Sequence, residues 1–336
     1  MPQTDLPLEQ LWDYRPDLPE PAALDTFWAQ ALEKAVQHPL DASVDRVDSG
    51  LVTVETYDVT YAGYGGDPVR AWLHLPAAGV RGSEPLPGVV QFMGYNGGRG
   101  LAHEHTFWAA AGFAHLVMDT RGQGSGWTVG DTPDPAGAGP TQPGFLTRGV
   151  ESPEQHFYRR VFIDAVRAVS VLRERPEVDP ERVAVAGISQ GGGIALAVSA
   201  LVPGLAAVLP DVPFLCDFRR AVRIAPGDPY GEVARYLGAH REQTERVFET
   251  LAHFDGAVLG RRAQAPALFS VALMDQTCPP STVFAAYHSY GGPKEIEVYE
   301  FNDHEGGEAF QQRRQLRWLR GRLGLGTLGL GTEGRA

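Results

Sequence analysis

The fold of this chain is decided by residues 183–193, which read Val183-Ala-Val-Ala-Gly-Ile-Ser189-Gln-Gly191-Gly-Gly. A helical pattern follows over residues 192–201. Gly-x-Ser-x-Gly between a buried strand and a helix predicts a strained turn that projects the serine hydroxyl above a sheet. Glycine is needed at the flanking positions because the strand and the helix approach each other closely there. The alternative interpretation is that these glycines only pack a helix against a strand.

Short apolar runs without apolar–polar alternation recur along the rest of the chain. They are typical of strands buried on both faces of a parallel sheet, and they cover residues 88–92, 114–118, 183–188, 206–209, 267–273 and 295–301. Helical patterns separate them at residues 157–173, 192–201 and 282–290. Residues 51–60 and 69–75 alternate instead, which predicts a β-hairpin. We therefore expect an α/β fold with a mostly parallel, doubly wound sheet.

The length of 336 residues fits one or two domains. We expect a single domain over residues 1–320, because the candidate catalytic residues are spread over most of the chain and must share one sheet. Residues 1–50 are predicted to form an N-terminal extension, and the polar, helical residues 213–262 an insertion. Residues 126–149 predict a long loop rich in Gly and Pro, and residues 321–336 a flexible glycine-rich tail.

Charge and composition exclude several classes of protein. The chain has 29 Lys and Arg against 41 Asp and Glu, a formal net charge of −12, which disfavours binding to nucleic acid, anionic lipid and acidic polysaccharide. Two cysteines are too few for a disulfide framework, although one bridge between Cys216 and Cys278 stays open. Residues 1–21 lack the basic and apolar regions of a signal peptide, and no apolar run is long enough for a membrane span. We therefore expect a cytoplasmic protein.

A nucleophilic serine needs a base and an acid, and the chain offers both downstream. In α/β-hydrolases the acid and then the histidine follow the serine along the chain, each in a loop after a later strand. Asp275 and His304 each come just past a predicted strand. We therefore predict an α/β-hydrolase fold with Ser189, Asp275 and His304 as its catalytic triad. Asp211, which directly follows another predicted strand, is the alternative acid.

An oxyanion hole needs two backbone N–H groups, one from the residue after the nucleophile and one from an earlier loop. Gln190 supplies the first, and we choose Tyr95, in the glycine-rich residues 94–100, for the second. The Lys-Ser/Thr of a phosphate cradle does not follow this loop. His103 and His105 lie two residues apart on an expected helix and would point in different directions. We therefore expect neither a metal nor a cofactor.

Three short motifs resemble those of one enzyme family. They are Arg121-Gly122-Gln123, Gly187-Ile-Ser189-Gln190-Gly191-Gly192 and His304-Glu305. Together with similar stretches from about residue 5 to about residue 320, they resemble the acetyl xylan esterase and cephalosporin C deacetylase family of carbohydrate esterases. The combination is far more specific than any single motif. Outside the triad and the oxyanion hole, we interpret the motif residues Arg121, Gly122, Gln123 and Glu305 as structural.

The resemblance implies a serine esterase that removes acetyl groups from small acetylated sugars and from cephalosporin C, with no cofactor. Ser189, Asp275 and His304 match the triad of the family, and Tyr95 and Gln190 match its oxyanion hole. The resemblance also implies a hexamer in which the active sites face an internal cavity and admit only small substrates.

The substrate preference is predicted less directly. We expect the loops that carry Tyr95, Pro229 and Tyr230 to shape the substrate pocket. His156 departs from the tyrosine-rich run that the family has at this place, which bears on the preferred ester. A broader short-chain carboxylesterase, or a peptidase or thioesterase with the same triad, is the alternative function, because the fold does not fix the leaving group. A non-catalytic scaffold is a further alternative, although no triad residue is missing.

Overall fold

Nine strands form one sheet in the computed structural model, which describes residues 3–135 and 141–326. The strands are β1 (Ser43–Val47), β2 (Val54–Ala62), β3 (Pro68–Pro76), β4 (Leu86–Phe92), β5 (Ala114–Met118), β6 (Val178–Ile188), β7 (Ala207–Asp211), β8 (Ala267–Ala272) and β9 (Lys294–Tyr299). Their order in the sheet is β1-β2-β3-β5-β4-β6-β7-β8-β9. The pairs from β1 to β5 along this order are antiparallel, and those from β5 to β9 are parallel.

Helices cover both faces of this sheet. They are α1 (Leu8–Asp13), α2 (Leu24–Val36), α3 (Phe107–Ala110), α4 (Phe157–Arg173), α5 (Gln190–Leu201), α6 (Phe218–Ile224), α7 (Tyr230–Ala239), α8 (Thr244–Ala252), α9 (Gly256–Leu259), α10 (Pro280–Ser289) and α11 (Glu308–Arg322). Short 3₁₀ turns lie at Tyr64–Gly66, Arg241–Gln243 and Gly260–Arg262. Within the described part of the chain, no helix has the length and apolarity to cross a bilayer.

Alternate residues of the central strands pack against two different helical layers. On β4, Val90 and Phe92 belong to the core that includes α4 and α5, whereas Val89 packs in the core around Trp108 of α3 and Trp318 of α11. Because both faces of the strand are buried, both sets of positions are apolar. The lack of alternation in the sequence therefore has its cause in this two-sided burial.

The predicted elements agree with the observed ones across the central sheet. The six apolar runs fall on β4 to β9, the predicted hairpin is β2 and β3, and the helix predicted at residues 157–173 is α4. The predicted elements do not include β1, which lies in the expected N-terminal extension, or α11, which covers the second face of the sheet. The helix expected at His103 and His105 is wrong, because both residues lie in turns before α3.

The N-terminal extension is fastened to the rest of the molecule by a buried carboxylate. Asp5 accepts hydrogen bonds from the Ser281 N–H of α10 at 2.7 Å and from the Arg220 guanidinium of α6 at 2.7 Å. The insertion at residues 213–262 forms helices α6 to α9. Residues 136–140 of the predicted long loop, and the predicted tail from residue 327 onward, lie outside the described residues. Cys216 and Cys278 are both buried and free, so no bridge joins them.

The closest backbone approach around the serine turn involves Gly191. A Cβ atom on Gly191 would lie 2.1 Å from the carbonyl oxygen of Phe92 on β4, and one on Gly187 would lie 2.3 Å from the carbonyl carbon of Gly191. Neither contact can be relieved by turning a side chain, because the opposing atoms belong to the backbone. The crossing of β4, β6 and α5 therefore requires glycine at both positions.

We predict that Gly191→Ala lowers the free energy of unfolding by at least about 2 kcal/mol, because the added methyl group forces β4 and α5 apart. Denaturant unfolding followed by circular dichroism measures the change. Gly238→Ala is the matched control: Gly238 lies in helix α7 and its Cβ would meet nothing within 4 Å. That substitution should leave the protein equally stable or slightly more stable. An unfolding free energy of Gly191→Ala within about 0.5 kcal/mol of wild type would contradict the prediction.

Candidate active site

Ser189 lies at the turn between β6 and α5 in a backbone conformation that few residues other than glycine adopt. Its φ is 57° and its ψ is −119°. The Ser189 N–H donates to the Asp211 carbonyl at 2.9 Å, and the Ser189 carbonyl accepts from the N–H groups of Gly193 at 3.0 Å and Phe214 at 2.9 Å. These three bonds hold the strained residue in place, which is the condition under which such a conformation persists.

Ser189, His304 and Asp275 form one hydrogen-bonded chain. The Ser189 Oγ lies 2.9 Å from His304 Nε2, and His304 Nδ1 lies 2.8 Å from Asp275 Oδ2. Because the carboxylate can only accept, Nδ1 carries the proton and Nε2 is free to accept the serine proton. The structure thus brings together the three residues that the sequence selected, from the end of β6 and the loops after β8 and β9.

The orientation of Asp275 is fixed by its second oxygen. Asp275 Oδ1 accepts the backbone N–H groups of Thr277 and Cys278, each at 2.8 Å. The carboxylate is buried, whereas the His304 side chain is 32% exposed. The two backbone donors therefore fix the orientation of the carboxylate and leave Oδ2 to face His304.

Asp211 does not contact His304. Its carboxylate accepts from Ser270 Oγ at 3.1 Å, Gln311 Nε2 at 2.8 Å and Gln315 Nε2 at 2.7 Å. Burial raises the pKa of Asp211 to about 7, against the hydrogen bonds from Gln311, Ser270 and Gln315, which lower it. The alternative acid thus ties β7 to β8 and to α11, and the geometry does not support it as a triad member.

Gln190 and the loop after β4 are joined through Gln123. The amide groups of Gln123 and Gln190 bond to each other in both directions, at 2.8 and 3.1 Å, and Gln123 Oε1 also accepts the Asn96 N–H at 2.7 Å. Gln190 Nε2 donates to the Met93 carbonyl at 3.2 Å, and Tyr158 donates to Gln190 Oε1 at 2.7 Å. The two segments that carry the predicted oxyanion donors are therefore held together by buried amides.

Arg121 and Glu305 occupy supporting positions. The fully buried Arg121 guanidinium forms two bonds to the Asp164 carboxylate, at 2.5 and 2.8 Å, and one to Asp67 at 3.0 Å. Gly122 has a φ of 68°, where glycine is favoured. Glu305 accepts from Asn302 Nδ2 at 2.9 Å in the loop that carries His304. None of these contacts reaches the reacting atoms, which agrees with a structural interpretation of both motifs.

Pro229 and Tyr230, predicted to shape the substrate pocket, are both buried. The Tyr230 ring packs against Phe214 with 4.5 Å between centroids, and its hydroxyl accepts the Cys216 N–H at 3.3 Å. A substrate therefore does not reach Tyr230 directly. Phe214 lies between it and Tyr95, with 5.9 Å between the Phe214 and Tyr95 centroids.

Sequence reasoning missed one residue that lies beside the nucleophile. Cys278 Sγ is 3.9 Å from Ser189 Oγ, and Cys278 follows Asp275 by three residues. Asp275, Cys278 and His304 also place possible metal-ligand atoms within 4.8 Å of one another. Burial raises the pKa of the Cys278 thiol well above its usual range, and a protonated thiol is a poor ligand. The carboxylate and the imidazole are already bonded to each other, so this group does not fit a metal.

Comparison with known proteins finds similar acetyl esterases and acetyl xylan esterases. A protein from Xylanibacter ruminicola, acetyl esterase Axe7A, is 25% identical over 308 residues, which cover 86% of this chain. The chain spans 65% of the length of that relative. An acetyl xylan esterase from Paenibacillus sp. R4 has a similar structure, with a TM-score of 0.85, 38% identity, and coverage of 94% of this chain and 99% of the other.

Acetyl xylan esterase 1 from Thermoanaerobacterium sp. JW/SL YS485 is also similar, with a TM-score of 0.85 and 32% identity over 94% of this chain and 99% of that one. The family model described as acetyl xylan esterase matches residues 1–322, which is nearly the whole chain. Motifs, fold and serine turn lead to the same conclusion, and the chain belongs to the acetyl xylan esterase family.

Proposed function

We propose that this protein is a serine esterase that hydrolyses acetyl esters of small substrates through an acetyl-enzyme intermediate. The observation that carries the proposal is the hydrogen-bonded chain from Ser189 Oγ through His304 to Asp275, with bonds of 2.9 and 2.8 Å. Membership of the acetyl xylan esterase family supports the acetyl group as the acyl part.

His304 acts first as a base and then as an acid. Its Nε2 takes the Ser189 proton while Oγ attacks the acetyl carbonyl carbon, because an un-ionised serine is a weak nucleophile. Asp275 holds the imidazole in the required tautomer and stabilises its positive charge. When the tetrahedral intermediate collapses, the bond from carbon to the leaving oxygen breaks and His304 gives its proton to the alcohol. Water then repeats the sequence on the acetyl-enzyme, releasing acetate and restoring Ser189.

The negative charge on the tetrahedral oxygen is stabilised by the backbone N–H groups of Tyr95 and Gln190. Gln190 directly follows the nucleophile, and Tyr95 lies in the loop that Gln123 joins to it. Loss of one donor of this kind typically costs about 2.7–4 kcal/mol of transition-state stabilisation. Fixed donors are effective because they need no reorganisation during the reaction.

Acetylated xylo-oligosaccharides and cephalosporin C are the proposed substrates. Ser189 is only 7% exposed, which favours a small acyl group, and the net charge of −12 favours neutral sugars over acidic ones. The same triad could also serve a broader esterase, a thioesterase or a peptidase. We would compare the rates on these two substrates with those on longer acyl esters, an acetyl thioester and an aminoacyl amide. These comparisons test the broader esterase, the thioesterase and the peptidase in turn.

We predict that Ser189→Ala reduces acetyl ester hydrolysis to below about 1% of the wild-type rate, because the attacking oxygen is removed. Ser170→Ala is the matched control and should keep full activity, because the Ser170 hydroxyl bonds only to the Val166 carbonyl of its own helix, α4, among the described contacts. Initial rates on an acetyl ester, with circular dichroism to confirm folding, measure both. A folded Ser189→Ala protein that keeps more than a few per cent of the activity would rule out the assignment.

The two candidate acids give opposite expectations on replacement by asparagine. We predict that Asp275→Asn lowers kcat at least about 100-fold, since an amide at this place favours the wrong tautomer of His304. Asp211→Asn should keep kcat within about fivefold, because the Asp211 carboxylate bonds to Ser270, Gln311 and Gln315 rather than to His304. Steady-state kinetics on both folded variants decide the matter, and a larger loss for Asp211→Asn than for Asp275→Asn would reverse the assignment.

The resemblance also supports a hexamer. We propose a cytoplasmic location separately, and the two free cysteines accord with a reducing compartment. We expect sedimentation equilibrium to give a mass six times that of one chain. A single-chain mass at micromolar concentration would contradict the hexamer while leaving the esterase proposal unchanged.

A further inference from the structure

Glu232, on helix α7 of the insertion, is a buried acid that the proposed mechanism does not use. It is 6% exposed. Its Oε1 accepts the Tyr95 hydroxyl at 2.5 Å and the Gly144 N–H at 2.9 Å, and its Oε2 accepts the Leu146 N–H at 3.1 Å. One carboxylate thus connects three segments that are far apart in the sequence: the loop after β4, the loop before α4, and the insertion. A buried carboxylate is tolerated because these donors compensate for its lost hydration.

Contacts on several sides fix the position of Tyr95. Its ring packs edge-on against Phe145 and Phe214, with centroid distances of 5.3 and 5.9 Å. Its carbonyl accepts the Trp127 indole N–H at 3.0 Å, and its hydroxyl also accepts the Phe145 N–H at 3.0 Å. The backbone N–H of Tyr95 is the polar group that none of these contacts uses. It is the same group that the proposed mechanism assigns to the oxyanion hole.

The direction of the bond between Tyr95 and Glu232 follows from the two acidities. Burial, followed by the charge of Glu232, raises the pKa of the Tyr95 hydroxyl far above its usual range. Burial also raises the pKa of Glu232, and the bond from Tyr95 acts in the opposite direction. The Tyr95 hydroxyl therefore keeps its proton and donates a hydrogen bond, which the Glu232 carboxylate accepts.

We infer that Glu232 is a positioning residue for the oxyanion hole: it holds the Tyr95 hydroxyl and thereby fixes where the Tyr95 N–H points. This inference rests on the proposed esterase function. It gives the helical insertion a role in the reaction, because α7 carries the acceptor that the candidate donor loop requires. A displacement of about 1 Å in such a group can cost about 100-fold in rate.

Glu232→Gln tests the inference with almost no change of shape. The new amide has one acceptor oxygen where the carboxylate has two. Its NH2 group therefore faces either the Tyr95 hydroxyl and the Gly144 N–H, or the Leu146 N–H, without accepting from them. We expect kcat for an acetyl ester to fall about 10- to 100-fold, with KM within about threefold. Glu242→Gln is the matched control, because Glu242 is an exposed acid of the same insertion. It should keep wild-type kinetics.

Tyr95→Phe removes the other partner of the same bond and separates positioning from general destabilisation. If Glu232 acts through the Tyr95 hydroxyl, the double variant loses about as much kcat as the more affected single variant, rather than the product of the two losses. A small alkylboronic acid, which forms a tetrahedral adduct with an active serine, should bind more weakly to each variant by the same factor as kcat falls. A purely structural role would lower the melting temperature without this match.

The possible outcomes are distinct. If wild type hydrolyses acetyl esters and Ser189→Ala does not, but folded Glu232→Gln keeps kcat within twofold, the inference is wrong and the proposed function stands. Multiplying losses in the double variant would also overturn the inference. If Glu232→Gln fails to fold, Tyr95→Phe carries the test, and unchanged kcat and boronate affinity in that variant overturn it. A folded wild type without acetyl ester hydrolysis overturns the proposed function and the inference together.

Discussion

The rest of this structure depends on the glycines on either side of Ser189, which have no Cβ atom. Ser189 has a φ of 57°, and this turn is possible only because Gly187 and Gly191 let β4, β6 and α5 approach through their backbones. A Cβ on Gly193 would likewise lie 2.2 Å from the Phe214 carbonyl oxygen, so the segment after β7 packs just as closely. The position of the nucleophile and the path of the loops around it follow from the same close contacts.

The site is assembled at the carboxyl ends of parallel strands by polar contacts that extend well beyond the triad. Asp275 is oriented by two backbone N–H groups, Gln190 is paired with Gln123, and Glu232 joins the insertion to Tyr95. Each of these side chains is buried or nearly so, which makes every unsatisfied partner costly. Such a network fixes donors and acceptors before a substrate binds, as electrostatic stabilisation of a transition state requires.

The sequence predicts the central sheet and the residues of the candidate triad because both follow local rules. Two-sided burial leaves continuous apolar runs, and the order serine, acid, histidine follows from strands that end at one edge. The sequence does not predict the contact of Glu232 with Tyr95, because the two residues are 137 positions apart. It also does not predict the packing of α11, because Trp318 and Leu319 on its buried side stand in a mostly charged sequence. It placed Tyr230 at the pocket, whereas Phe214 separates that ring from Tyr95. Such features depend on tertiary packing, which no local pattern records.

The proposed reaction depends above all on Ser189 as the nucleophile. Stoichiometric labelling of the active protein with a serine-directed fluorophosphonate, followed by peptide mapping by mass spectrometry, tests this most directly. We expect one adduct per chain, on the peptide that contains Ser189, formed in step with the loss of acetyl ester hydrolysis. An adduct on another residue, or complete inactivation with Ser189 unmodified, would contradict it.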